Sequence, residues 1–420
     1  MTGERHVTLD AMRGLAVMGI LLINIIAFSM PGDAYINPQA WGGWGAADRI
    51  VWTINQLLFE GRMRGLFALL FGASMLLVMQ RAHDAGRSPV AVHLRRMAVL
   101  LLFGIAHFTL VWDGDILVHY AVLGCVLWLA RGWPVGRLVA VAALVLLVHT
   151  LIYCMMFGGA LAMQQIALAP GASAETAAQF RTMTADFPHP GSANVREQIE
   201  VFRGGYGAIV RFRTGEHGDI PLKLLTFVGG ETIGYMLLGM ALMKSGFFTG
   251  GWSRTALLRL TAWGYGIGLP AIALMTWWAF ASGFDPIVLM GNFLAWSVPF
   301  RVAVALGHAG LAVLLIQRAV QSAWVARIAA TGRMAFTNYL MTSIVMTTIF
   351  YGYGLGLFGH VGRAEVYLFV TAMWAAMLGW SRPWLARFNH GPFEWVWRAL
   401  ARWELPQWRR NALASQSQST

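Results

Sequence analysis

The chain has 420 residues, of which 57% are hydrophobic and only 12% charged, about half the roughly 25% usual for a soluble domain. Its formal net charge is +12 and its mean hydropathy is +0.58. These values exclude a disordered chain and a soluble single domain. Apolar runs near 20 residues, without the every-second-residue alternation of a β-barrel, make it an all-α polytopic transmembrane bundle.

The apolar runs predict about ten spans, near 11–30, 56–80, 94–112, 114–131, 136–158, 223–243, 257–281, 293–317, 334–351 and 364–381. An even number puts both termini on one side. The short loops and termini assigned to that side hold twenty Lys and Arg, against four in the short loops of the other. By the positive-inside rule both termini are expected in the cytoplasm. The same pattern explains the basic balance without nucleic acid. The first run reads as a spanning helix rather than a signal peptide, because no small-x-small cleavage site follows it. Cys125 and Cys154 both lie inside apolar runs, and no CxxC or HExxH is present, so neither a structural disulfide nor a metal is expected.

Four parts follow from the spans. Residues 1–158 form a five-span half, 159–222 a long outer loop with interfacial helices, 223–400 a second five-span half, and 401–420 a cytoplasmic tail expected to be disordered. In the loop, Ser173 is placed to cap a helix over 173–181. Apolar residues at helical spacing over 195–213, among Arg196, Arg203, Arg211 and Arg213, predict a helix lying on lipid headgroups or a lid over an outer site.

Ionisable and amide side chains inside spans are costly and face a partner or a cavity, so they select the candidate site residues. Asp10 and Arg13 stand one turn apart at the inner boundary, as a helix-start ion pair or a phosphate contact. Asn24 lies in the outer part of span 1, suited to an oxyanion or to helix–helix bonding. Glu60, Arg62 and Arg64 open span 2 with one net positive charge, suited to an anionic group or to snorkelling. His107 and His119 flank the tight connection Trp112-Asp113-Gly114-Asp115. Both imidazoles fall roughly 6–9 Å inside the outer boundary at 1.5 Å per residue. Asp115 and His119, at i and i+4, share a helix face. A carboxylate behind a histidine fixes its tautomer, as a general base requires. The alternative is a hairpin in which the aspartates only cap a helix. Glu231 sits about eight residues into span 6 and needs a partner, for which Arg301 is placed, with His308 two turns further along that helix. Asn338, Tyr339 and Ser343 put polar atoms on span 9.

The segment Leu9-Asp-Ala-Met-Arg-Gly-Leu15 through Asn24 resembles the opening of the bacterial YeiB family of inner-membrane proteins (domain of unknown function 418). So do Arg64-Gly-Leu-Phe-Ala-Leu-Leu-Phe-Gly72, Gly104-Ile-Ala-His107 with Asp113-Gly-Asp-Ile-Leu117, Gly332-Arg-Met-Ala-Phe-Thr-Asn-Tyr-Leu340 and Gly391-Pro-Phe-Glu-Trp-Val-Trp-Arg398. The resemblance covers essentially the whole chain. It implies a location in the bacterial inner (plasma) membrane, with the lipid bilayer as partner.

The YeiB family is itself similar, mainly in its first half, to membrane acyltransferases such as heparan-glucosaminide N-acetyltransferase and the bacterial sugar O-acyltransferases. That similarity implies acyl-CoA as co-substrate and a small-molecule or glycan acceptor across the membrane. The sugar enzymes usually carry a His further along span 1, where this chain has Asn24, so His107 is the candidate base, with His119 second. Asp113 or Asp115 would orient it, and Asn24 would bind the oxyanion. Asp10, Arg13, Glu60, Arg62, Arg64, Glu231, Arg301, Asn338 and Tyr339 are the candidate substrate contacts. A homodimer is a further expected state. The competing reading is a permease for a small anionic metabolite, lined by Glu231, Arg301 and His308. The missing internal repeat weighs against it. A third reading, a non-catalytic scaffold, requires that the intramembrane histidines be dispensable.

Overall fold

The computed structural model describes residues 2–410. Among them the regular elements are helices, with one isolated antiparallel bridge between Phe388 and Arg409. The first half contains α1 (Thr2–Ser29), α2 (Asp33–Ile36), α3 (Ala46–Leu58), α4 (Arg62–Asp84), α5 (Pro89–Leu110), α6 (Leu117–Leu127) and α7 (Val135–Ala167). The long loop contributes α8 (Ala174–Thr184), α9 (Ala193–Arg203) and α10 (Tyr206–Thr214). The second half contains α11 (Ile220–Lys244), α12 (Arg254–Ala281), α13 (Pro286–Gly291), α14 (Val298–Arg318), α15 (Ala323–Arg333), α16 (Ala335–Phe350), α17 (Tyr367–Arg387) and α18 (Pro392–Arg402). Serine caps start five of these helices. Ser88, Ser173, Ser192, Ser253 and Ser322 each accept from the backbone N–H three residues on.

Among the described residues seven stretches are long and apolar enough to cross a bilayer, and they coincide with the first, second, third, fifth, sixth, seventh and eighth expected spans. The fourth and ninth expected spans fall on shorter apolar helices, Leu117–Ala130 and Ala335–Phe350. The tenth falls on α17, which has the length but interrupts its apolar run with Ser381, Arg382 and Pro383. Large apolar side chains of α7 and α12 point away from the protein, with Met155 78% and Trp263 68% exposed. Such faces are stable only against lipid.

α1 is the shared helix of the bundle. Its Leu9, Met12, Ala16 and Val17 enter one core, with α4, α5, α6, α11 and α14. Its Met18, Leu21, Ile25 and Phe28 enter another, with α16, α17 and the loop helices α9 and α10. α15 packs across α1 so closely that a Cβ at Gly332 would lie 1.7 Å from the Asp10 carbonyl oxygen. No residue but glycine fits there. The helix expected over 195–213 is divided at Gly204-Gly205 into α9 and α10, which turn Phe202, Ile209 and Phe212 inward. Beyond α18 the chain turns back, and the Asn389 backbone N–H donates to the Trp408 carbonyl at 3.1 Å. The remainder of the tail expected to be disordered, 411–420, lies outside the described residues.

Candidate functional site

A cavity of about 1100 Å³ opens where the N-terminal part of α1 meets the ends of α4, α17 and α18 and the start of α5. Ten arginines line it, against Asp10 and Glu394. Both carboxylates are already engaged. Asp10 Oδ1 accepts from Arg13 Nη1 at 2.8 Å, and Arg13 Nη2 donates to Ser74 Oγ at 2.8 Å. Glu394 Oε1 accepts from the backbone N–H groups of Phe336 and Thr337 at 2.8 and 3.0 Å, and Oε2 from the Thr337 hydroxyl. Glu394 therefore caps α16. The mouth keeps a large positive excess, partly through α18, where Arg398 and Arg402 follow Glu394 at successive i+4 positions. Arg96 stacks over Trp397 at 4.2 Å.

Further in, the walls become apolar: Leu70, Phe71, Leu100 and Phe336 lead to Phe67, Leu117, Tyr120 and Tyr339. Fourteen residues of α4 separate Arg81 at the mouth from Phe67 at the floor. At 1.5 Å per residue the cavity runs roughly 21 Å along that helix.

A histidine–carboxylate pair lies behind the floor. His107 Nδ1 is 2.8 Å from Asp115 Oδ1, and both residues are 3% exposed. Asp115 Oδ2 accepts from the Val118 backbone N–H at 2.9 Å, fixing the carboxylate at the start of α6. A carboxylate only accepts when ionised, so a neutral imidazole facing it carries its proton on Nδ1 and leaves the lone pair on Nε2. Nε2 is buried and makes no hydrogen bond. Tyr339 connects this pair to the cavity. Its ring centroid is 5.4 Å from that of His107, and its hydroxyl accepts from the Ile116 backbone N–H at 3.3 Å. The hairpin closes because Gly104 admits α6: a Cβ there would lie 2.5 Å from the Val118 nitrogen.

The other expected residues divide in ways their spacing did not fix. Asp115 serves His107, although His119 shares its helix face. His119 Nε2 instead meets Thr232 Oγ1 at 2.9 Å. Asp113 lies 3.9 Å from the buried Arg213 of α10. Asn24 sits one turn before Phe28, whose ring stacks on Trp112 with centroids 4.0 Å apart, and the Trp112 centroid is 6.3 Å from that of His107. The Asn24 side chain is not hydrogen-bonded to His107.

Glu231 and Arg301 do pair, through two 2.7 Å contacts, and Arg64 adds a third at 3.1 Å. Glu60 lies beside them and accepts from Tyr35 at 3.3 Å. His308 turns away to Tyr265 and the Leu58 carbonyl. The Asn338 amide is fully used by Thr331, Ser381 and Trp380, as helix-to-helix bonding requires. Ser343 bonds only its own helix, at the Tyr339 carbonyl. Among the described residues no cluster of three or more His, Cys, Asp or Glu is placed to hold a metal.

Sequence reasoning did not single out Arg96, Arg398 or Arg402 among the inner-loop arginines, because topogenic and phosphate-binding charge look alike there. The stripe Glu394, Arg398, Arg402 was the available signal. His390, in the turn between α17 and α18, reports their field. Burial first, then Arg398, Arg402 and Arg333, push its pKa from 6.5 down to about 4. A bound polyanion offsets those arginines and raises that pKa, so binding takes up a proton. Affinity for tripolyphosphate should therefore rise as pH falls from 6.5 towards 4. Calorimetry on the protein and on His390→Gln checks this: the difference in pH slope between them should carry that sign.

Comparison with known proteins adds a family frame. The family model described as "Protein of unknown function (DUF418)" matches residues 242–404. The chain is 36% identical over 410 residues to the uncharacterized protein YeiB of Escherichia coli (strain K12), covering 94% of this chain and 96% of that protein. It is 33% identical over 405 residues to the uncharacterized protein YxaH of Bacillus subtilis (strain 168), covering 95% and 94%. An uncharacterized 39.9 kDa protein in the amylase 3′ region of Bacillus acidopullulyticus is 22% identical over 402 residues, 94% of each chain. The matched segment 242–404 supplies Tyr339, Arg333, Arg398 and Arg402 to the cavity, and the first half supplies Arg13 and Arg96 to it and the His107–Asp115 pair behind its floor.

Proposed function

This chain belongs to the DUF418 (YeiB) family of helical membrane proteins, and from that premise we propose that it is a transmembrane acyltransferase. It takes an acyl group from acyl-CoA at the arginine-lined end and transfers it to a hydroxyl or amine acceptor reaching His107 from the opposite end. The observation that carries the proposal is a cavity whose mouth is cationic, whose walls are apolar, and whose floor lies one tyrosine ring from a buried histidine–carboxylate pair. That sequence of environments matches a donor with phosphates at one end and a thioester at the other. The bias of twenty basic residues to four supports a cytoplasmic side for the arginine-rich end and both termini, in a bacterial inner membrane.

In this reading Arg13, Arg96, Arg398 and Arg402 hold the donor phosphates by charge-assisted hydrogen bonds. The thioester reaches the floor as Tyr339 shifts aside. His107 Nε2 removes the acceptor proton as the acceptor attacks the thioester carbonyl carbon. The carbon–oxygen or carbon–nitrogen bond forms, the carbon–sulfur bond breaks, and the thiolate takes the proton back from the imidazolium. Asp115 holds the imidazole in its tautomer and stabilises its charged form. Asn24 donates to the developing oxyanion. The transport reading is less well supported: Glu231 and Arg301 are each 1% exposed and hold one another, and the cavity beside them is only about 40 Å³.

Thermal unfolding of the purified protein in detergent, titrated with acetyl-CoA and longer acyl-CoAs, tests donor binding. A saturable rise in melting temperature is expected. Arg398→Gln combined with Arg402→Gln should weaken it by about tenfold or more, the loss of one or two charge-assisted bonds. No rise with any acyl-CoA up to millimolar concentration would contradict the proposal.

A further inference from the structure

Arg62 opens α4 and is 2% exposed, yet its guanidinium makes one hydrogen bond, from Nη1 to the Glu60 backbone carbonyl. Its Nε and Nη2 are buried without a partner. Arg62 lines a second cavity, of about 40 Å³, together with Glu60, Arg301, Trp52 and Asn292. Two more buried atoms on that cavity lack partners, the Trp52 indole Nε1 and Asn292 Oδ1. A buried polar atom without a partner is rare in a folded protein, and here three residues lining one small space carry such atoms.

The charges beside this space do not balance. Glu231 is taken up by Arg301 and Arg64. Glu60, 8% exposed, accepts from Tyr35 and gives Arg62 only its backbone carbonyl. Three guanidinium groups therefore face two carboxylates, and the unmatched positive charge lies on Arg62. Water filling the cavity would satisfy hydrogen bonds and leave that charge uncompensated in a low-dielectric bundle.

We infer that this cavity binds a small monoanion, a halide or a carboxylate headgroup, against Arg62 and Trp52. The free nitrogens of Arg62, Nε and Nη2, form the side-on fork that grips a carboxylate through two parallel N–H bonds or a halide between them. The Trp52 indole adds a third N–H donor. At roughly 10–15 Å³ per water-sized sphere the space holds about three such spheres, enough for a chloride or a carboxylate and too small for a phosphate ester. A companion water donates to Asn292 Oδ1. The inference rests on cavity, charge and unpartnered donors, and it stands whether or not the chain transfers acyl groups. The same chemistry has two sources, a free halide or the carboxylate of an acceptor molecule.

The test is thermal unfolding of the full chain in detergent, with chloride, bromide or formate titrated against methanesulfonate at matched ionic strength. A saturable rise is expected in the wild type and none in Arg62→Gln. Trp52→Phe, which keeps the charge, should weaken the apparent affinity about fivefold, as the loss of one neutral hydrogen bond does. A rise with halide assigns the site to a free ion, and a rise with formate alone assigns it to a carboxylate-bearing molecule. If Arg62→Gln does not fold, Trp52→Phe and the anomalous signal of bromide at Arg62 in crystals decide. No saturable rise in the wild type with any of the three anions, or an equal rise in Trp52→Phe, would overturn the inference.

Discussion

Replacing His107 by alanine should reduce acyl transfer, and acyl-CoA hydrolysis in the absence of acceptor, by about 10²–10⁴, the usual contribution of a positioned general base. Acyl-CoA binding should persist, because His107 does not line the cavity and Arg96, one of the arginines proposed to hold the donor phosphates, stands eleven residues before it on α5, roughly 16 Å of helix. Asp115→Asn is the informative companion. It keeps the shape and the contact to Val118 but can turn an amide N–H toward Nδ1, which moves the imidazole proton to Nε2 and removes the base. The expected pattern is normal binding, normal unfolding temperature and a rate close to that of the alanine variant. His119→Gln should differ, since His119 meets Thr232 and not a carboxylate. Full activity in His107→Ala would remove the histidine from the chemistry.

Glu231→Ala should be the most destabilising single substitution among the candidate residues. It leaves Arg301, 1% exposed, and Arg64 without their carboxylate, beside an Arg62 that is already short of one. Removing one partner of a buried ion pair costs about 3–5 kcal/mol, because the remaining charge stays buried. Much less folded protein should accumulate in membranes, and what is purified should melt well below wild type. The double variant Glu231→Leu with Arg301→Met removes both charges and should recover much of the loss. An unfolding temperature for Glu231→Ala equal to that of wild type would show that Arg301 and Arg64 do not depend on this carboxylate.

Class and spans were legible because lipid imposes them. A run of twenty apolar residues has one stable solution in a bilayer, and seven of the ten expected spans are found as long helices. The three that differ are where another demand shortens or interrupts the apolar run. α6 starts late because Asp115 is drawn down to His107, α16 is capped by Glu394 from α18, and α17 carries Ser381 and Arg382 to bond Asn338 and line the cavity.

The candidate site was legible in part. Glu231 and Arg301 were paired by the reasoning that a buried carboxylate needs a cation. The choice between Asp113 and Asp115 was not, since it depends on how the hairpin closes at Gly104 and which aspartate turns inward. The arginine cavity was hidden for a different reason. Arg81, Arg96, Arg333 and Arg398 come from four separate segments, and only packing shows that they face one space. A positive-inside bias and a polyanion site look alike in sequence, since both place arginines in inner loops.

The most direct measurement is a high-resolution structure of the protein with acetyl-CoA. The expected density places the nucleotide phosphates among Arg96, Arg398 and Arg402, runs the pantetheine arm along Phe71 and Leu100, and sets the thioester carbon beside Tyr339 with its carbonyl facing His107. An empty cavity at saturating acetyl-CoA, or a nucleotide bound with its thioester directed away from His107, would contradict transfer through this site.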